Sequence, residues 1–209
     1  TRNDLQFGAA LVRDFGADDS FPVGDIDDIL PGLLERCERV YYAMGVNAEF
    51  DQRVIGWVNT LKGQTKLGIH SPQEFVALDH PLHDMRLYKS KAEAAVMRRS
   101  AQIAVGAHVR AMKATRAGFA EYEVMAELLH EFHRHQADIS YHPIVGGGAN
   151  GCILHYHENA DTLRDGDLLL IDAGCEYGLY ASDITRTFPL NGRFSPAQKA
   201  IYDIVPEAQ

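Results

Sequence analysis

The sequence predicts an α+β fold, on three observations. Helix and strand patterns alternate over residues 1 to about 80, two long amphipathic helical patterns follow, and from Tyr141 onward apolar runs alternate with glycine-rich turns, the mark of antiparallel strands. Helices gathered ahead of strands, instead of strict alternation throughout, separate this pattern from a doubly wound sheet. The expected division is a smaller α/β domain and linker over 1–84 and a second domain over 85–209.

In the first domain, helical spacing near Ile26 to Glu38 and Phe50 to Lys62 flanks Arg39-Val40-Tyr41-Tyr42-Ala43-Met44, an aromatic and β-branched strand closed by Gly45. Ser71-Pro72 and His80-Pro81 bracket a stretch of little periodicity, which predicts a linker ending near Asp84. Ser90-Lys91-Ala92-Glu93 is a capping box, in which serine and glutamate satisfy each other's orphan backbone N–H groups. A long helix is expected from there, with Ala92, Val96, Ile103, Ala107 and Ala111 on its buried stripe and Gly118 at its end. The next helix, about Glu121 to His135, should bury Met125, Leu128, Leu129 and Phe132. Strands are then expected at Ile144-Val145, Cys152-Ile153-Leu154-His155-Tyr156, Leu168 to Gly174 and Ile184 to Pro189. Gly146-Gly147-Gly148, Asn150-Gly151 and Asp165-Gly166 supply the turns.

The last two strands carry Asp172 and Asp183, eleven positions apart. Leu168 to Gly174 reads as a strand buried on both faces, and a two-residue turn at Tyr177-Gly178 sets Asp172 directly opposite Asp183. Opposed residues on one face have Cβ atoms about 4.5–5.5 Å apart, and like charges so placed destabilise the sheet. A shared divalent cation would neutralise them. Two acids on a solvated hairpin are the bland alternative, but the apolar continuity of Leu168 to Ile171 argues for a buried strand, where an unpaired carboxylate is costly.

Composition narrows the function classes. A net charge of -9 and no basic cluster leave no field for a phosphate backbone or an anionic membrane surface, so neither nucleic acid nor a membrane is expected as a partner. Three widely spaced cysteines without a C-x-x-C pair fit neither a disulfide framework nor a zinc knuckle, and a cytoplasmic location is expected. No initiator Met is present, so a segment could precede Thr1. Gly146, Gly148 and Gly151 satisfy G-x-G-x-x-G, but a dinucleotide fingerprint must open a helix and here a strand is expected to follow. His130-Glu131-Phe132-His133 has Arg134 where a zincin helix needs its second histidine. No G-x-S-x-G is present for a serine hydrolase. His155-Tyr156-His157 places two imidazoles on one face of a strand, compatible with an edge strand or with a site; its position shortly before the aspartate hairpin makes His155 a candidate.

Several of these segments together resemble a known family. His83-Asp84-Met85-Arg86-Leu87-Tyr88-Lys89-Ser90, Ile144-Val145-Gly146, Asn150-Gly151-Cys152-Ile153-Leu154-His155-Tyr156, Ile171-Asp172-Ala173-Gly174-Cys175-Glu176-Tyr177 and Ser182-Asp183-Ile184-Thr185-Arg186-Thr187-Phe188-Pro189 are similar to the Xaa-Pro aminopeptidases (aminopeptidase P) of the pita-bread metallopeptidase superfamily (M24). The likeness is strongest over about 83–205. It implies the first half of a pita-bread domain preceded by part of a smaller α/β domain. It also implies a dinuclear site, two divalent ions and usually manganese, in which Asp172 and Asp183 are the first two of five protein ligands. A hydroxide held by two metals about 3.5–4 Å apart would attack the scissile carbonyl of a peptide with proline second. His155 matches the histidine that binds substrate and steadies the tetrahedral intermediate, and Tyr141 a tyrosine near the substrate. Relatives assemble as dimers or tetramers, so a homo-oligomer is implied.

The family takes its other ligands, one histidine and two glutamates, from beyond the position where this sequence ends, 26 residues after Asp183. Val205-Pro206 is expected to interrupt the last helix. A portion of a longer protein, with little or no peptidase activity by itself, is therefore expected. The alternatives are a catalytically dead pita-bread module that binds peptides or proteins, or a prolidase; creatinase-like chemistry needs no metal and leaves the paired acids without a purpose.

Overall fold

The structure is a computed structural model and describes residues 9–208. It divides into two compact units between Tyr88 and Lys89. The first contains helix α1 (Ala9–Phe15), helix α2 (Ile26–Leu34), strand β1 (Arg39–Tyr42), helix α3 (Ala48–Gly63), strand β2 (Glu74–Ala77) and helix α4 (Asp79–Leu87). Strands β1 and β2 pair in parallel, as a helical crossover requires. Asn47 caps α3 by accepting from the Phe50 N–H, and the helix buries Val54, Trp57, Val58 and Leu61. Trp57 lies edge-on to Phe50 and donates its indole N–H to Asp27 at 2.8 Å.

The stretch expected as a linker is instead β2 and α4. A four-residue strand is too short to show a period, and Pro81 falls in the first turn of α4, where the backbone N–H has no helical partner to lose.

In the second unit, helix α5 (Lys91–Ala114) opens on the expected capping box. Ser90 Oγ accepts from Glu93 N at 3.2 Å, and Glu93 Oε2 accepts from Ser90 N at 2.7 Å. The helix ends before Gly118. Thr115 adopts an extended backbone while its hydroxyl donates to the Ala111 carbonyl, and the chain then turns at Gly118, whose φ is +91°. Helix α6 (Glu121–Arg134) buries Val124, Leu128 and Phe132, with Met125 and Leu129 at the margin of the core. His130 and His133 lie exposed.

Six strands complete the unit: β3 (Asp138–Ile139), β4 (Ile144–Gly147), β5 (Leu168–Ala173), β6 (Cys175–Tyr177), β7 (Tyr180–Ala181) and β8 (Ile184–Pro189). They form two antiparallel sheets, ordered β4-β5-β8 and β3-β6-β7. Ile103, Ala104, Ala107 and Ala111 of α5 and the buried face of α6 pack against Val145, Leu169, Ile171 and Ala173. Strand β5 is not buried on both faces as expected. Leu169, Ile171 and Ala173 face the core, while Leu168, Leu170 and Asp172 are half-buried on the other side. Helix α7 (Pro196–Ala208) continues past Pro206, because a proline so near the C-terminus removes only one hydrogen bond from the last turn.

The hairpin tip is tied back to α5. Tyr180 donates its hydroxyl to Glu93 Oε1 at 2.6 Å, and this bond, followed by those from Ser90, holds the Glu93 carboxyl down at about 2 against an ordinary 4.5. A lowered folded-state value means that the stabilisation is complete above pH 4.5 and is lost as pH falls through about 2. Glu93→Gln is therefore expected to flatten the acid limb of stability between those pH values. Circular dichroism during acid titration reads this, and identical limbs for variant and parent would refute the linkage.

Candidate functional site

The aspartate hairpin closes one residue later than expected. Its two-residue turn is Gly178-Leu179, both left-handed at φ +57° and +69°, as a primed turn requires. Tyr177 pairs with Tyr180, and in the ladder beyond, Asp172 faces Thr185 and Ala173 faces Ile184. Asp172 therefore does not face Asp183. The partner has moved by two residues, however, and an even shift keeps a side chain on its side of the sheet. Asp183 lies just before β8, and the register extended by one residue sets it diagonal to Asp172 instead of opposite it.

The two carboxylates still converge. The Tyr141 hydroxyl lies 2.5 Å from Asp172 Oδ1 and 2.8 Å from Asp183 Oδ1. Burial first, then these two carboxylates, push the Tyr141 hydroxyl far above its usual range, so it stays a proton donor. One phenolic proton between two acids leaves carboxylate oxygen lone pairs available on a half-buried Asp172 and an exposed Asp183.

A close crossing of backbone between β5–β6 and β7–β8 makes this convergence possible. A Cβ on Gly174 would overlap the Ser182 carbonyl oxygen and lie 2.7 Å from Ser140 Oγ. Ser140 donates its hydroxyl to that carbonyl at 2.9 Å and its N–H to the Gly174 carbonyl at 3.2 Å. Ser182 Oγ accepts from Cys175 N at 3.1 Å and donates to the Cys175 carbonyl at 3.0 Å, while Ser100 from α5 donates to the same carbonyl at 2.9 Å. Small residues and hydroxyls thus lock the bend that delivers Asp183.

His155 is placed differently from expectation. Residues 148–152 form a short 3-10 helix and His155 lies in the turn after it, not on a strand; β4 is the sheet neighbour of β5. The glycines before it serve backbone packing, since a Cβ on Gly146 would sit 2.8 Å from Gly151 N. His155 has a left-handed backbone, φ +54°, uncommon for a non-glycine residue and a mark of local constraint. Its ring stacks on His157 at 6.5 Å, and His157 meets His142 edge-on at 5.5 Å. The structure thus brings together Asp172, Asp183 and Tyr141 in one cluster and three imidazoles in another. Sequence reasoning missed His142, whose only signal is its place next to Tyr141.

Among the described residues no group of three or more His, Cys, Asp or Glu side chains is arranged to hold a metal ion. Two carboxylates are the donors in hand, and hard oxygen donors of this type suit a hard divalent ion while supplying part of its coordination.

An antiparallel sheet covered by two long helices thus carries the paired acids on the side away from its core. The sequence profile of metallopeptidase family M24 matches residues 95–209, more than half of the chain. The chain belongs to metallopeptidase family M24. It is 45% identical to the Xaa-Pro aminopeptidase of Escherichia coli over 98% of this chain and 48% of that protein. The structure of Pseudomonas aeruginosa aminopeptidase PepP superposes with a TM-score of 0.88 at 57% identity, over 95% of this chain and 45% of that one. A zinc-substituted E. coli aminopeptidase P in complex with product superposes with a TM-score of 0.87 at 45% identity, over 97% and 48%. The chain spans about half the length of the curated relatives it matches. Over the matched part its fold is that of the aminopeptidase P structures, a pita-bread portion preceded by a smaller α/β unit. Among the described residues no helix is long and apolar enough to cross a membrane.

Proposed function

We propose that the whole protein is a metal-dependent Xaa-Pro aminopeptidase that removes the first residue from peptides with proline second, and that Asp172 and Asp183 hold two divalent ions, manganese by preference. The observation that carries this reading is the pair of carboxylates joined through Tyr141 inside the segment that matches the peptidase family. Oxygen-rich ligation of this kind suits manganese. When bound, the ions supply Lewis acidity and offset the mutual repulsion of the two acids.

The chain's own groups have separable tasks. Asp172 and Asp183 fix charge at one end of the hairpin; Tyr141, held as a neutral donor, orients them and borders the peptide. His155 donates an imidazole N–H to the peptide carbonyl and to the negative oxygen that develops on it, a contact that strengthens as charge builds. A soluble homo-oligomer in the cytoplasm, dimer or tetramer, completes the proposal.

Purified whole protein should cleave a peptide with proline second and leave its alanine counterpart largely intact. Chelation should end cleavage and manganese restore it. His155→Ala should lower turnover roughly 100-fold or more with metal content unchanged, as loss of a donor to a developing oxyanion does. Peptide binding without cleavage under these conditions would instead identify a module that only binds.

A further inference from the structure

Glu121 is a glutamate in an unexpected place. It opens α6 fully buried, and neutral donors surround it. Its Oε1 accepts from Gly147 N at 2.8 Å and Asn150 Nδ2 at 3.0 Å, and its Oε2 from the Tyr156 hydroxyl at 2.8 Å and Asp161 N at 3.0 Å. The donors come from the start, the middle and the end of residues 147–161. That stretch leaves the sheet after Gly147, so no ladder holds the residues beyond that glycine. Asn150 ties the same knot more tightly, with its amide also 3.1 Å from the Tyr156 hydroxyl and 3.0 Å from Asp161 Oδ2.

Tyr156 stands between His155 and His157 in the chain and is buried where they are exposed. Burial first, and then the bond to Glu121, push its hydroxyl above its ordinary value, so it remains a donor. Holding the Tyr156 ring inward obliges the flanking imidazoles to point elsewhere, and the left-handed backbone at His155 needs such an anchor to persist. The chemistry of the hub explains the residue type. Four donors on two oxygens require an acceptor on both sides, which glutamine offers on one side only and an apolar residue on neither.

We propose that Glu121 is the positioning residue for His155, acting through Tyr156 and Asn150 to place its imidazole for turnover. This rests on the reading of His155 as the substrate-binding imidazole of a peptidase. Glu121→Gln in the whole protein keeps the shape and turns one acceptor into a donor facing donors. It should lower kcat about 10- to 100-fold, the scale of a small misplacement of a reacting group, with metal content unchanged. In a His155→Ala background the same substitution should cost no further turnover, because what it positions is gone.

Where His155→Ala alone lowers turnover, unchanged kcat in Glu121→Gln, or an equal loss in both backgrounds, would overturn the proposal, since a purely structural role is blind to His155. Should Glu121→Gln fail to fold, Tyr156→Phe removes one of the four bonds and must show a smaller loss with the same dependence on His155. The imidazole nitrogen resonances of His155 give a readout that does not need activity: they should shift in the variant, and unmoved resonances would overturn the proposal. If His155→Ala alone retains full turnover while those resonances do shift, the peptidase role of His155 fails and the tether stands.

Discussion

Asp172→Asn and Asp183→Asn are each expected to abolish manganese-dependent cleavage by the whole protein. The fall should exceed the roughly 10- to 100-fold that loss of an outer-sphere partner of a metal ligand costs, because a ligand itself is removed. Asparagine keeps the size and one oxygen, so the Tyr141 bond can survive and the hairpin has no steric reason to open. Stability should move the other way. Two neighbouring acids repel one another without a cation, so each variant should be more stable than the parent in the metal-free state, by about 0.2–1 kcal/mol. Bound metal, turnover and melting temperature measured on the same samples decide the matter. Normal metal content and normal turnover would remove both residues from the ligand set, and lower metal-free stability would show that the pair is structural.

Gly174→Ala should have the largest effect on the fold. Gly174 does not have a positive φ, so alanine faces no conformational penalty there and the outcome isolates sterics. The added methyl would occupy the space of the Ser182 carbonyl and crowd Ser140 Oγ. These are backbone and its hydrogen-bonded lock, which cannot swing aside as a flexible side chain would. Overpacking ordinarily costs 1–3 kcal/mol, and separating two backbones should cost about 3 kcal/mol or more. Ser140, Ser182 and Cys175 would lose their mutual bonds, and Asp183 would leave the Tyr141 hydroxyl. Denaturant unfolding and metal binding should fail together. Gly166→Ala is the comparison, because Gly166 has φ +86° but open space around it, so alanine there meets conformational strain without a clash. A smaller loss at Gly174 than at Gly166 would show that the crossing is looser than its geometry.

Much of this was legible in the residues. The capping box at Ser90 and the 3.6-residue stripes located both long helices, since caps and periods are local signals. Both acids reach the Tyr141 hydroxyl although the expected register is off by two positions, because an even shift preserves the face, whereas a slip of one separates them. The turn itself was misplaced because Leu179 takes a left-handed conformation that its residue type disfavours. The features outside local reasoning were held by partners distant in the chain. Residues 152–156 carry strand-like side chains, yet their backbone goes unpaired in the sheet while Glu121, 31 and more positions earlier, and the buried Asn159 fasten the surrounding loop. Glutamate ordinarily signals exposure, so the position that organises this loop carried the composition of a surface residue.

That mode of attachment separates two things that a β-ladder would have joined. Ladder bonds are common to all side chains and change only when a strand slips or unzips, so a histidine on a strand inherits the rigidity of the whole sheet. A span pinned at discrete knots can be retuned one knot at a time: a substitution on α6 alters the aim of the imidazoles while the hydrophobic floor under the aspartates keeps its shape. The aim of the imidazoles and the shape of the sheet beneath the aspartates thereby become separable within one short stretch of chain.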